Sequence, residues 1–99
     1  MQGESHWTLL SNHAHVLVCM AIDPHIRLRD IAVQVGITER AVQRIVSELE
    51  DANMLERHRE GRRNVYLIHK DEPLRHPLEK GYTVGSLIEA VTGQKLPKA

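Results

Sequence analysis

Ninety-nine residues with 13 basic and 13 acidic side chains, hence no formal net charge, suffice for one domain with one core and exclude a deep two-lobed cleft. Apolar residues make up 41% of the chain, an ordinary globular share that excludes disorder. Trp7, Tyr66 and Tyr82 are the only aromatics, so the core must come from Leu, Ile, Val, Ala and Met, a palette that suits packed helices better than a large sheet.

Residues 1–10 read as a leader. Ser11 or Asn12 can cap a first helix, on which Leu10, Ala14, Leu17, Val18 and Ala21 share a stripe. Val16, Cys19, Met20 and Ile22 make its end apolar almost all round, so it must be covered on more than one side. Asp23-Pro24 stops it. A second helix is expected over Leu28–Val35, with Leu28, Ile31, Ala32 and Val35 inward and Gly36 as its left-handed cap. Thr38 can cap a third helix running to about Ala52. Ala41, Val42, Ile45, Val46 and Leu49 form its inner stripe, and Glu39, Arg40, Gln43, Arg44 and Ser47 its outer face. Asn53 can close it in the left-handed region.

Met54–Arg59 and Asn64–Ile68 read as two strands, joined by the tip Glu60-Gly61-Arg62-Arg63. His69–Pro77 reads as an extended connector. A last helix over Thr83–Thr92 carries Val84, Leu87, Ile88 and Val91 on one side, and the end beyond Gly93 reads as frayed.

The balanced total conceals an uneven distribution. No Lys or Arg falls in the first quarter. Arginines gather at 27 and 29, at 40 and 44, and at 57, 59, 62 and 63, with the acids Glu48, Glu50, Asp51 and Glu56 between the last two groups. The single cysteine, Cys19, excludes an internal disulfide and reads as a buried small hydrophobe. No signal-peptide pattern stands at the N-terminus, and the longest apolar run, Val16–Ile22, is too short for a membrane span; a soluble, cytoplasmic protein is expected.

The informative unit is Leu28–Ile45. Two helices folded tightly on each other need a small residue where they cross, a turn residue free to take positive φ, and aliphatic locks on the second helix. Ala32, Gly36, Val42 and Ile45 supply these at the helix-turn-helix spacing, with Ile31, Val35 and Ile37 filling the positions between. The segment RLRDIAVQVGITERAVQRIVSELEDANMLER, followed by REGRRNVYLI, resembles bacterial and archaeal winged helix-turn-helix regulators of the MarR- and ArsR-like kind over residues 12–68. Asn53, where relatives usually carry glycine, is the one departure, and no functional effect is expected from it.

The resemblance implies a mainly α fold with a small antiparallel hairpin. It comprises helix, short strand, two helices and a two-stranded wing, here with an extra C-terminal helix. It implies a winged helix-turn-helix domain over 11–69 and a linker with a dimerisation helix over 70–99. It also implies a transcriptional regulator that binds double-stranded DNA, as a homodimer on a palindromic operator. Carried onto this chain, Thr38, Glu39, Arg40, Gln43 and Arg44 face the major groove. Arg40 suits guanine and Gln43 adenine. Arg44 and Ser47 suit phosphates. Glu39 accepts from cytosine or pairs with Arg40. Arg62 and Arg63, with Arg59 and Asn64 beside them on the wing, suit the minor groove or its flanking phosphates. Arg29 suits a phosphate clamp.

The bland reading of each feature is a solvated face, and a winged-helix protein-interaction module without DNA is the rival reading. Such a module would show exposed apolar residues on the third helix and wing, which here are polar and mostly basic. Seven histidines without a Cys pair or a His-x-x-x-His spacing imply no metal site, and no cofactor is expected. No phosphate-cradling glycine loop, nucleophile with a base or paired carboxylates suggests an enzyme. No effector is identifiable. Apolar surface on the first and last helices is expected to be covered across a two-fold axis.

Overall fold

In the computed structural model, residues 7–98 are described, and residues 1–6 of the expected leader, with His6, lie outside them. Helix α1 spans Asn12–Ile22 and is capped by Ser11, whose hydroxyl accepts from the Ala14 N–H. It is the central element, lying against α2 (Leu28–Val35), α3 (Glu39–Asp51) and the hairpin's second strand. Val16 and Met20 are fully enclosed by these neighbours, which is why a helix apolar on nearly every side is stable here. Ile22 remains exposed at its end.

Gly36 ends α2 at φ 86°, ψ 34°, a conformation that strains any residue with a Cβ. The reversal there drops α3 across α2. Ile31 and Ala32 then meet Val42 and Ile45 in the core. Thr38 caps α3 by accepting from the Ala41 N–H at 3.0 Å. Asn53 takes the left-handed position after it, at φ 61°.

Strands β1 (Leu55–Glu60) and β2 (Arg63–Ile68) pair antiparallel from Leu55↔Ile68 to Glu60↔Arg63. They extend one residue further at the tip than the sequence reading, leaving only Gly61-Arg62 as the turn. Gly61 sits at φ 62° while Arg62 does not take positive φ, the pattern of a type II′ hairpin. The short strand expected between the first two helices does not form. Pro24 occupies its place, and a residue without an N–H cannot donate to a ladder. A single backbone–backbone bond survives there, from the Tyr66 N–H to the Pro24 carbonyl at 2.9 Å.

The connector is not the extended tether expected. Leu74 N–H donates to the Tyr82 carbonyl at 3.0 Å, Pro73 and Thr83 form an isolated bridge, and Pro77–Glu79 makes one 3-10 turn inside the closed loop. Two further bonds anchor the start of α4 (Val84–Thr92): Val84 N–H to the Glu72 carbonyl and Gly85 N–H to the Lys70 carbonyl, each 2.9 Å. The approach at Gly85 is close enough that an added Cβ would stand 2.5 Å from the Lys70 Cβ. Helix α4 lies on α1 of the same chain, with Val84 and Ile88 buried, so its stripe is covered in cis rather than needing a second chain. Val91, expected on the inner side, is half exposed at 49%.

The end beyond Gly93 is not frayed. Leu96 returns to the core, its N–H donates to Glu89 at 2.7 Å, and its carbonyl accepts from the Lys70 ammonium at 3.2 Å. The burial of one leucine and two hydrogen bonds anchor what composition alone made look loose.

Candidate nucleic-acid interface

Two elements present the site. On α3 the positions 40, 43, 44 and 47 fall three and four apart, so their side chains share one stripe. Arg40, Gln43, Arg44 and Ser47 are all exposed along it, opposite the buried Val42, Ile45, Val46 and Leu49. Glu39 opens the helix, where its carboxylate complements the dipole, and Thr38 commits its oxygen to the cap while its O–H proton stays available.

The hairpin supplies the second element. Arg59, Arg62 and Arg63 are exposed, and Asn64 is partly covered. In the antiparallel register Arg59 stands opposite Asn64, so their side chains project from the same face. Between the hairpin, the start of α2 and the start of α3 lies a cleft of about 460 Å³. Its rim brings together Arg29, Glu39, Arg62, Arg63 and Asn64, residues from three separate stretches of sequence. Thr38, Arg40, Gln43, Arg44 and Ser47 stand outside it on the helix, and Arg59 outside it on the strand. Arg27 also lines the cleft; it was grouped with Arg29 in sequence but not counted among the expected site residues. Its signal was its place just before α2, two residues from Arg29.

The charges are sorted. Among the described residues, Arg27, Arg29, Arg40, Arg59, Arg62 and Arg63 have no carboxylate within 4.0 Å. Arg44 reaches Glu48 at 3.4 Å, and Arg57 reaches Glu50 at 3.1 Å. Glu39 pairs with neither Arg40 nor any other cation there. Glu48 also accepts from the His13 ring at 2.7 Å, and that hydrogen bond, helped by Arg44, holds its carboxyl below the usual range. Glu48 and Glu50, in the C-terminal half of α3, are thus engaged by partners, while Arg40 near its N-terminal end is left without a carboxylate. This is how a chain of zero net charge carries a basic face.

Two of the histidines, His58 and His69, are brought together by the fold. His58 and His69 each hydrogen-bond Glu56, both at 2.6 Å, and His69 also bonds the Asn53 carbonyl at 2.7 Å. The Asn53 carbonyl and Glu56 favour the charged imidazole and raise the His69 pKa; the two rings lower that of Glu56. Cys19 lies buried against Gln34, and burial pushes its thiol pKa up, which suppresses the reactive thiolate. No group of three or more His, Cys, Asp or Glu placed to hold a metal occurs among the described residues, and no helix there is long and apolar enough to cross a membrane.

Large exposed apolar side chains among the described residues are Trp7, Leu9, Ile22, Val33, Leu78, Tyr82 and Val91. None lies on α3 or on the hairpin. Comparison with curated proteins and with solved structures found no match to the chain. Residues 15–56, from α1 into β1, match the family model described as winged helix-turn-helix DNA-binding. The fold is a winged helix-turn-helix, and its central segment carries the pattern of the DNA-binding family of that name.

Proposed function

We propose that the protein is a sequence-specific, double-stranded DNA-binding transcriptional regulator of the MarR/ArsR-like kind, acting in the cytoplasm without enzymatic chemistry. Helix α3 enters the major groove, where base edges are distinguishable. Arg40 reads guanine, Gln43 reads adenine, and Thr38 and Glu39 contact the base edges nearest the helix start. Arg44 and Ser47 reach phosphates. The hairpin lies beside the groove with Arg59, Arg62, Arg63 and Asn64 on the backbone or in the minor groove, and Arg29 clamps a phosphate. The observation that carries this reading is the set of arginines without carboxylate partners on α3, the start of α2 and the hairpin, with no large exposed apolar side chain on α3 or the hairpin.

Residues 11–69 form the DNA-binding unit. Residues 70–99 contribute the contact of a homodimer, for which Leu78 at 90% and Tyr82 at 65% exposure remain uncovered after α4 has packed on α1. Such a dimer would bind a palindrome with half-sites about one helical turn apart. The test is selection of duplexes from a random pool at two salt concentrations, with sedimentation at tens of micromolar. The expected outcome is an enriched inverted repeat, a steep salt dependence and a dimer. A pool that stays random at both salts would overturn specific recognition and favour the protein-interaction reading.

A further inference from the structure

The hairpin can act on DNA only if its angle to α3 is held, and a two-stranded ribbon is marginal on its own. The third strand that would brace it is missing here. Its work falls to the turn Asp23–Arg27 between α1 and α2. The Tyr66 N–H donates to the Pro24 carbonyl at 2.9 Å, near the middle of β2. Arg63, at the distal end of β2, donates from Nη2 to the His25 carbonyl at 3.1 Å. The His25 ring reaches Glu60, the last residue of β1, through Nε2 at 3.0 Å. The turn is itself fixed, because the His25 N–H donates to the Asp23 carboxylate at 3.1 Å. Both ends of the hairpin tip, Glu60 and Arg63, therefore meet one residue that lies 35 positions or more away in sequence.

We propose that His25 is the positioning residue of the wing: with Glu60 and Arg63 it forms a clasp that sets the hairpin's angle to α3. This rests on the DNA-binding reading. His25 and Glu60 are both substantially exposed, so their pair adds little to global stability. Its effect is on where Arg62 stands, at the turn between the two clasped residues. Glu60 is also an acid on a surface that meets phosphates. Simple electrostatics predicts that removing it tightens binding, whereas the clasp predicts the opposite for any variant that cannot accept a hydrogen bond.

The experiment compares the full chain with Glu60→Ala, Glu60→Gln, His25→Ala and the Glu60→Ala/His25→Ala pair. It reads affinity for the selected duplex at several salt concentrations and amide hydrogen exchange without DNA. Glu60→Ala is expected to bind about fivefold more weakly, the order set by one net hydrogen bond. Its salt slope should flatten by about one contact as Arg62 loses its phosphate. Glu60→Gln keeps an acceptor for the ring N–H and is expected to bind at least as well as the parent. The double variant should lose no more than either single one. Faster exchange at Arg62, Arg63 and Tyr66 in Glu60→Ala, absent in Glu60→Gln, would show the loosened tip directly. Tighter binding by both Glu60 variants, or unchanged exchange in Glu60→Ala, would overturn the clasp. If the parent binds no duplex, the DNA-binding reading fails, and exchange alone decides whether the clasp holds the hairpin.

Discussion

Replacing Arg29 and Arg62 together by Gln tests the sorting of charge at the proposed interface. Both guanidiniums lack a carboxylate within 4.0 Å, so neither change breaks an ion pair within the described residues. Both line the cleft between hairpin and helices. Stability should change by less than about 0.5 kcal/mol, as for surface positions away from special features. If each arginine neutralises one phosphate, the slope of log affinity against log salt falls in magnitude by about 1.8. Between 50 and 200 mM salt that amounts to an affinity ratio about 12-fold shallower than the parent's. Fluorescence anisotropy with a labelled duplex over that range measures it. Arg75→Gln is the control, since Arg75 lines a different hollow beside the C-terminal end of α3. A slope unchanged in the double variant, or equally reduced in Arg75→Gln, would refute the assignment of the basic face.

Gly36→Ala should cost about 1–2 kcal/mol in urea denaturation, because the left-handed cap at φ 86° strains a Cβ even though open space surrounds it. Ile88→Ala should destabilise by about 2–5 kcal/mol at a protein concentration low enough to favour monomers, since its side chain is enclosed within one chain; a cost seen only where dimers form would contradict the cis packing. Gly85→Ala should destabilise despite alanine's better helix propensity, by about 1–3 kcal/mol for an overpacked contact with Lys70. The raised His69 pKa gives stability that is fully present below its ordinary value of 6.5 and is lost as pH rises through the folded value. The lowered Glu56 pKa gives stability that is present above its ordinary 4.5 and is lost as pH falls through the folded value. The contact therefore contributes fully between the two ordinary values, 4.5 and 6.5, and fades on either side toward the folded values; urea midpoints across pH should lose that feature in His69→Ala.

The helical core was legible because each of its devices is local. Gly36 lies four residues from Ala32, and Val42 and Ile45 follow at helix spacing, so periodicity and cap chemistry named the same residues that the structure buries. The stretch after Ile68 was less legible. Leu96 looked like part of a polar tail because its partners, Glu89 and Lys70, are distant in sequence or hidden behind Gly93. The missing strand was foreseeable from Pro24, whose lack of an N–H was read only as a helix stop. In the proposed interface, exposure of Arg40, Gln43, Arg44 and Ser47 followed from the same periodicity that buried their neighbours. The gathering of Arg27, Arg29, Arg62 and Arg63 around one cleft did not, since it depends on how far the hairpin folds back over α2. The same holds for Glu56, which meets one histidine two residues away and another across the ladder.

Glu48 has a consequence for any anion that approaches α3. Its carboxylate already stands beside Arg44 at 3.4 Å, doing the job that a dissolved chloride would otherwise do. If Arg44 reaches a phosphate, as proposed, it exchanges one tethered anion for another, and fewer condensed ions are set free than by a phosphate contact from Arg62. The helix thus carries an internal competitor that is always present at the same local concentration, whatever the buffer. On the proposed reading it makes the middle of α3 less sticky toward arbitrary DNA than its arginine content suggests, and leaves discrimination to Arg40 and Gln43.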